Sequence, residues 1–242
     1  MIAILSDFGN SEYLGVMKGV IYSIAKDAKI VDLCNNVNPH GISEGAWILM
    51  NSYKYFPKNT IFLCIVDPGV GSKRQSIAIK TKNYFFIGPD NGLMFPAASE
   101  DKALEIIRIK EGEHISKTFH GRDIFAKAAA KLENKTNINQ LGPKTAIKNK
   151  LGFYLKNRTG EIIRVDNFGN IITNLRHIDK DSYLVKHKNI EKTMEFYETY
   201  AKAPQNKLFL IKGSSNTLEI SIRSDKASKK FNINAGDKIE IK

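Results

Sequence analysis

The hydrophobic and polar positions of this chain fall into two textures. Through about residue 135, short continuous apolar runs alternate with stretches that repeat apolar residues at helical spacing. Residues 1–5 read as a buried strand. Residues 11–25 place Leu14, Met17, Ile21 and Ile24 on one helical face. Residues 30–33 are strand-like, and 43–55 read as a helix capped by Ser43 with Ile48 and Leu49 inward. The run 60–66 is continuously apolar and β-branched, as in a strand buried on both faces. Closely spaced strands follow at 75–80 and 84–87, another at 104–109, and an Ala-rich helix at 123–132. Alternation of this kind predicts a doubly wound, mostly parallel sheet flanked by helices.

The stretch 134–160 is polar and rich in Gly, Pro and Lys, and reads as a linker. Beyond it, short strands are expected at 161–165, 171–174, 183–185, 193–197, 207–211, 217–222 and 238–241, with no convincing helix between them. That pattern predicts a small antiparallel β-barrel or sandwich. The expected organisation is therefore an α/β domain over 1–150 and a smaller all-β domain over 151–242.

Length supports this division, since 242 residues, 42% of them hydrophobic, suit one large and one small domain. Cys34 and Cys64 lie in or beside apolar runs and read as buried free thiols of a cytoplasmic protein. The N-terminal residues meet Asp7 after five apolar positions without a basic leader, which speaks against a signal peptide, and no apolar run is long enough to span a membrane. A net charge of +12 raises the possibility of RNA binding. However, the lysines are scattered or gathered in loop-like clusters at 144–150, 186–192 and 226–230 without interleaved aromatics, as on a solvated surface. No nucleic-acid partner is expected.

Candidate chemistry sits in Gly- or Pro-marked turns next to apolar runs, where open α/β sheets bind ligands. Asp7, in Ser6-Asp7-Phe8-Gly9, suits a vicinal diol, or caps the next helix. Asp67 follows the most buried strand in Val66-Asp67-Pro68-Gly69-Val70-Gly71, a turn whose acidic residue and missing Gly-Lys-Ser/Thr rule out a phosphate loop. His120, in Phe119-His120-Gly121-Arg122-Asp123, could relay a proton if a carboxylate held its other nitrogen, or be a loop histidine satisfied by backbone. His40 is a turn residue, and His177 and His187 read as surface residues. The spacing of His114 and His120 lacks partners for a metal, so none is expected. Asp166-Asn167-Phe168-Gly169-Asn170 offers a carboxylate, an aromatic face and an amide, the needs of an adenosine, or forms a simple hairpin turn.

These motifs, together with Met17-Lys18-Gly19, Arg74 and Gly88-Pro89-Asp90-Asn91-Gly92, resemble the S-adenosyl-L-methionine (SAM) hydroxide adenosyltransferases, relatives of the SAM-dependent fluorinase and chlorinase. The match runs in order over most of the chain. The resemblance implies attack of water on the ribose C5′ of SAM, giving adenosine and L-methionine with no cofactor. It places the water-positioning and deprotonating set on Asp67, Arg74 and His120, and the ribose carboxylate on Asp7. Adenosine contacts fall on Asp166, Phe168 and Asn170, and the methionine end near Ser214 and Ser215. It further implies a homotrimer binding substrate between one subunit's first domain and a neighbour's second. Two departures are Ser6 for the usual Thr and Asn216 for the usual Gly of the methionine loop. A carboxylate at Asp67 argues against halide as nucleophile. A non-catalytic SAM- or adenosine-binding protein on the same scaffold is the alternative reading.

Overall fold

The computed structural model describes residues 1–231 and 233–242. The chain divides into two compact units, Met1–Leu151 and Gly152–Lys242.

The first unit is a six-stranded sheet between two helical layers. In chain order its elements are β1 (Ile2–Ser6), α1 (Glu12–Ile24), β2 (Ile30–Cys34), α2 (Ile42–Ser52), β3 (Ile61–Ile65), β4 (Ser76–Thr81), β5 (Phe85–Pro89), α3 (Phe95–Glu100), β6 (Ala103–Arg108) and α4 (Lys127–Glu133). The strand order is β2-β1-β3-β5-β4-β6. Strands β2, β1, β3 and β5 are parallel, while β4 runs antiparallel to both β5 and β6. The sheet is therefore mixed.

Period-two alternation divides the central strands between two cores. Ile2, Ile4, Ile61, Leu63 and Ile65 pack with Met17 and Ile21 of α1 and the alanines of α4. Ala3, Leu5, Phe62 and Cys64 face the opposite way, onto Leu49 of α2 and Ala97 and Ala98 of α3. This double burial is why β1 and β3 read as unbroken apolar runs. The predicted Ala-rich helix begins as a π-helical turn, Gly121–Ala126, before continuing as α4.

Three expectations are corrected. Helix α2 starts earlier than expected; its N-cap is Gly41, and no side chain, Ser43 included, caps it. The supposed linker from residue 134 onward belongs largely to the first unit. Thr145 N–H donates to the Ile106 carbonyl, and buried Asp90 accepts from the backbone N–H groups of Lys148 and Asn149 at 2.9 and 3.3 Å. A long-range carboxylate thus holds a polar strap that has no local signature of order. His187 is also not a surface residue. It is 2% exposed and its Nε2 lies 3.1 Å from Asp237. His177 is half-buried, stacked on Phe196 and bonded to the Tyr183 hydroxyl.

The second unit is a seven-stranded sheet of β7 (Thr159–Val165), β8 (Ile171–Thr173), β9 (Ser182–His187), β10 (Ile190–Glu195), β11 (Leu208–Lys212), β12 (Leu218–Ile222) and β13 (Lys238–Ile241). Its order is β10-β9-β13-β7-β8-β12-β11, with antiparallel pairings throughout. Just beyond β10, Phe196 bridges to Leu210 and Tyr197 N–H donates to the Leu210 carbonyl, which brings the two edge strands together into a nearly closed barrel. Ile162, Ile171, Tyr183, Leu218, Ile220 and Ile239 fill its interior.

Candidate active site

In the first unit, β1 and β3 lie side by side and their chains depart in opposite directions along the sheet, which opens a crevice at their carboxyl ends. A cavity of about 280 Å³ lies there, lined by Asp7, Asp67 and His120 together with Phe8, His40 and Phe119. Asp7 leaves β1 and accepts a 2.9 Å hydrogen bond from the backbone N–H of His40 on one oxygen. His40 sits at φ +66° in its turn. Phe8, Tyr13 and Phe119 form an aromatic cluster, with centroids 5.1–6.0 Å apart and Phe119 edge-to-face with the other two, beside this cavity.

Asp67 leaves β3 in a turn that is braced from outside. The Asn91 side-chain amide donates to the Val66 carbonyl at 2.7 Å. Gly71 has φ +75°, and a Cβ there would fall 2.4 Å from the Lys117 carbonyl oxygen. Only glycine lets the 66–71 turn pass this close to the segment leading to His120.

Arg74 joins Asp67 to His120. Its Nε donates to Asp67 Oδ1 at 2.9 Å and its Nη2 to Asp67 Oδ2 at 2.5 Å. The same Nη2 lies 2.7 Å from His120 Nδ1, and Nη1 donates to Ser76 Oγ at 2.9 Å. The Arg74 and Asp67 side chains are 9% and 8% exposed, and Arg74 also lies over the Phe125 ring. This is a buried, bidentate, charge-assisted pair.

Guanidinium is a donor only, so His120 Nδ1 accepts and the ring proton of the neutral imidazole sits on Nε2. Burial, then the Arg74 charge, pushes the His120 pKa down, which keeps the ring neutral. The expected carboxylate partner for His120 is replaced by this arginine. Asp123 is committed elsewhere, accepting from Arg122 at 2.7 and 2.9 Å and from the Ser116 N–H.

In the second unit, a larger cavity of about 1000 Å³ is lined by Asp166, Phe168, Asn170 and Ser214. Ser215 lies in the same turn as Ser214 but does not line it. Asp166 Oδ1 accepts from the N–H groups of Phe168 and Asn170, and its Oδ2 from the Asn170 amide. The carboxylate therefore builds the turn that holds Phe168 outward, 78% exposed. The turn joining β11 to β12 closes through Asn216 N–H to the Gly213 carbonyl, with Asn216 at φ +61°. Asn is the non-glycine residue best suited to that conformation, which accounts for its presence there.

Sequence reasoning missed Tyr200, Glu219 and Arg223 in this cavity. The signal for Glu219 was available: it is a lone acid inside the apolar strand Leu218-Glu219-Ile220, on the face opposite the barrel core. Cys34 and Cys64 are free, and burial pushes the Cys64 thiol pKa up. Among the described residues no helix is long and apolar enough to cross a membrane.

The comparisons with known proteins bear on both units. The family model for the SAM hydroxide adenosyltransferase N-terminal domain matches residues 2–142, and that for the C-terminal domain matches 160–240. An (R)-S-adenosyl-L-methionine hydrolase of Methanocaldococcus jannaschii is 38% identical, over 100% of this chain and 95% of that protein. A fluorinase of Nocardia brasiliensis is 26% identical over 74% of this chain and 72% of its own length. The crystal structure of an uncharacterised conserved protein from Thermotoga maritima superposes with TM-score 0.93 at 32% identity, each chain covered in full. The chain belongs to the SAM hydroxide adenosyltransferase family.

Proposed function

We propose that this protein hydrolyses S-adenosyl-L-methionine by in-line attack of water at the ribose C5′, releasing adenosine and L-methionine. The observation that carries the reading is the Arg74-bridged pair of Asp67 and His120, set in the same cavity as Asp7. The leaving group is a neutral thioether expelled from a cationic sulfonium, so its departure needs no acid and no metal. The nucleophile is the difficulty, because water is weak and becomes strongly acidic as its oxygen bonds to carbon.

Asp67 is the proton acceptor. Each of its oxygens takes one hydrogen bond from Arg74 and keeps a lone pair for the water. His120 cannot take the proton on Nε2, which already carries one; its Nε2–H donates to the nucleophile and orients it. The new O–C5′ bond forms as the C5′–S pair returns to sulfur, and the water proton passes to Asp67 and on to solvent. General-base assistance of this kind is worth roughly 10²–10⁴-fold, and holding the water in line with the C5′–S bond adds to it.

Asp7 receives the ribose hydroxyls through its remaining oxygen. The 1–150 unit carries the water-activating residues. The 151–242 unit supplies Phe168 and Asn170 to the adenosine, with Asp166 shaping their turn, and Ser214 and Ser215 to the methionine end. We take the working form to be a cytoplasmic homotrimer in which one subunit's first unit meets a neighbour's second, as the family resemblance implies. The names of the M. jannaschii protein and its fellow hydrolases point to the R sulfonium epimer as substrate.

Purified protein incubated with each SAM epimer in halide-free buffer should give adenosine and methionine in equal amounts, with the R epimer preferred. Added chloride or fluoride should yield no halogenated nucleoside. SAM bound but recovered intact would point instead to a binding protein, and sedimentation analysis tests the trimer.

A further inference from the structure

Glu44 is a buried acid that the proposed reaction leaves without a task. It stands in the first turn of α2 and is 3% exposed. A carboxyl group taken out of water is costly unless donors replace the solvent. Here one oxygen, Oε2, accepts from the Asn38 backbone N–H at 3.1 Å and from the Asn38 side-chain amide at 2.7 Å. The positive end of the α2 dipole lies beside it. Glu44 therefore reaches back past the N-cap, Gly41, and takes hold of the chain before the helix begins.

What it holds is the turn 38–41. The Gly41 N–H donates to the Asn38 carbonyl at 2.8 Å, Pro39 is second in the turn, and His40, the third, has φ +66°. Proline followed by a left-handed residue is the pattern of a type II turn, whose third position ordinarily goes to glycine or asparagine. With histidine there the turn carries strain, and such a conformation persists only where its surroundings over-determine it. Glu44 grips one end of the turn. At the other end the His40 N–H donates to Asp7 Oδ2 at 2.9 Å, and among the described residues this is the one hydrogen bond that the Asp7 carboxylate accepts. Pro39 and His40 line the same cavity as Asp7. No room is left at the joint: a Cβ on Gly41 would fall 2.8 Å from the Asn38 carbonyl oxygen and 3.3 Å from Glu44 Oε2.

We propose that Glu44 is a positioning residue for sugar recognition: through the 38–41 turn it fixes the direction of Asp7, and so sets how strongly the site prefers a ribose with both hydroxyls. The proposal rests on the reading of Asp7 as the ribose acceptor. A diol is gripped well by a carboxylate whose free oxygen is already aimed; a carboxylate that swings must first be ordered at the expense of binding. Among the described residues no hydrogen bond joins the 38–41 turn to Asp67, Arg74 or His120, so the chemical step does not depend on the grip.

The test is steady-state turnover of SAM and of its 2′-deoxy analogue by the full-length protein and its variants. A site built to bind a hydroxyl rejects the analogue that lacks it. Wild type should prefer SAM in kcat/KM by roughly 10- to 100-fold, the worth of one hydrogen bond to a charged group, and Asp7→Ala should lose the preference. In Glu44→Ala the KM for SAM should rise about tenfold, kcat should stay within about threefold, and the preference for SAM should shrink at least about fivefold. Glu44→Gln, which keeps an oxygen for both Asn38 donors, should recover most of both. Should Glu44→Ala not fold, Asn38→Ala carries the test, because Asn38 is exposed and only the side-chain half of the grip is removed. It should move KM and preference in the same direction by about threefold. A merely structural Glu44 would lower stability and the fraction of active protein while leaving KM and the sugar preference at wild-type values, and that result would overturn the proposal. Preference lost in Asp7→Ala but intact in both Glu44→Ala and Asn38→Ala removes this inference alone. A wild type that does not turn SAM over, or an Asp7→Ala variant that keeps the preference, shows that the reading of the site itself is wrong, and the inference falls with it.

Discussion

Replacing Arg74 with lysine separates charge from geometry at the centre of the site. Arg74 makes four polar contacts: two to Asp67, one to His120 Nδ1 and one to Ser76 Oγ. Lysine keeps the positive charge but cannot span a carboxylate fork and an imidazole at once. At least two charge-assisted hydrogen bonds are lost, each worth about 1.5–3 kcal/mol. The retained charge and local relaxation offset part of this, leaving a cost of about 2–4 kcal/mol to the first unit. For a unit of this size that corresponds to a fall of roughly 5–15 °C in its melting temperature.

The effect on catalysis is of a different kind. Without the donor at Nδ1, His120 is free to change tautomer and rotate, and Asp67 is no longer fixed against the water. A loss of about 10²–10³-fold in kcat follows, or about 3–4 kcal/mol of barrier. Arg74 does not line the Asp7–Asp67–His120 cavity, so the KM should stay within a few-fold. Adenosine release by chromatography gives kcat and KM. The single tryptophan, buried Trp47 on α2, reports unfolding of the first unit by fluorescence. A variant with kcat within about threefold of wild type would refute the positioning role, whatever its stability.

Three further outcomes follow from the same geometry. The proposed reaction uses His120 as the neutral ring, and its pKa is depressed by burial and Arg74. The acid limb of kcat/KM should therefore lie below the ordinary imidazole range near 6.5, with activity flat from there through neutrality; a limb at or above that range would contradict the assignment. Phe168 is 78% exposed, so Phe168→Ala should change stability by no more than about 0.5 kcal/mol while raising the KM for SAM severalfold, read from urea unfolding and steady-state rates. Glu219 has a folded pKa of about 7 against 4.5 for an ordinary glutamate, so it lowers stability as pH rises between those values, and the penalty persists above them. Glu219→Gln should be more stable than wild type at pH 8 by about 1–3 kcal/mol, with the difference vanishing near pH 4, by near-ultraviolet circular dichroism of the second unit.

Elements whose burial is periodic were legible in the sequence. β1 and β3 announce themselves because both faces are apolar, and the strands of the second unit because Leu218, Ile220 and Ile222 alternate with the polar Glu219 and Ser221. The antiparallel course of β4 was also available in principle: only three residues separate it from β5, and a parallel crossover needs about a dozen or more. Helix α3 escaped because Phe95-Pro96-Ala97-Ala98 is too short to show a period. His187 sits between two lysines and so looks exposed, yet it shares the inward face of β9 with Tyr183 and Val185.

For the site, the turns after β1 and β3 pointed to Asp7 and Asp67, since a Gly or Pro beside an acid after a buried strand is a local signal, and a Gly-flanked loop before a helix pointed to His120. The grouping of Arg74 with His120 came from the family resemblance, and nothing in the local spacing shows it. Asp123 is three positions away in sequence, but Arg74, 46 positions away, is adjacent in space. Asp90 and its strap were hidden for the same reason, because a hydrogen bond spanning 58 positions leaves no trace in local composition.

The most direct test of the central claim is single-turnover reaction of wild-type protein and the Asp67→Asn variant with SAM in ¹⁸O-water, read by mass spectrometry. The account predicts one ¹⁸O at the 5′-oxygen of adenosine and none in methionine. It further predicts that Asp67→Asn binds SAM as tightly as wild type but forms labelled adenosine at least about 10²-fold more slowly. Unlabelled adenosine, or an Asn variant as fast as wild type, would contradict it.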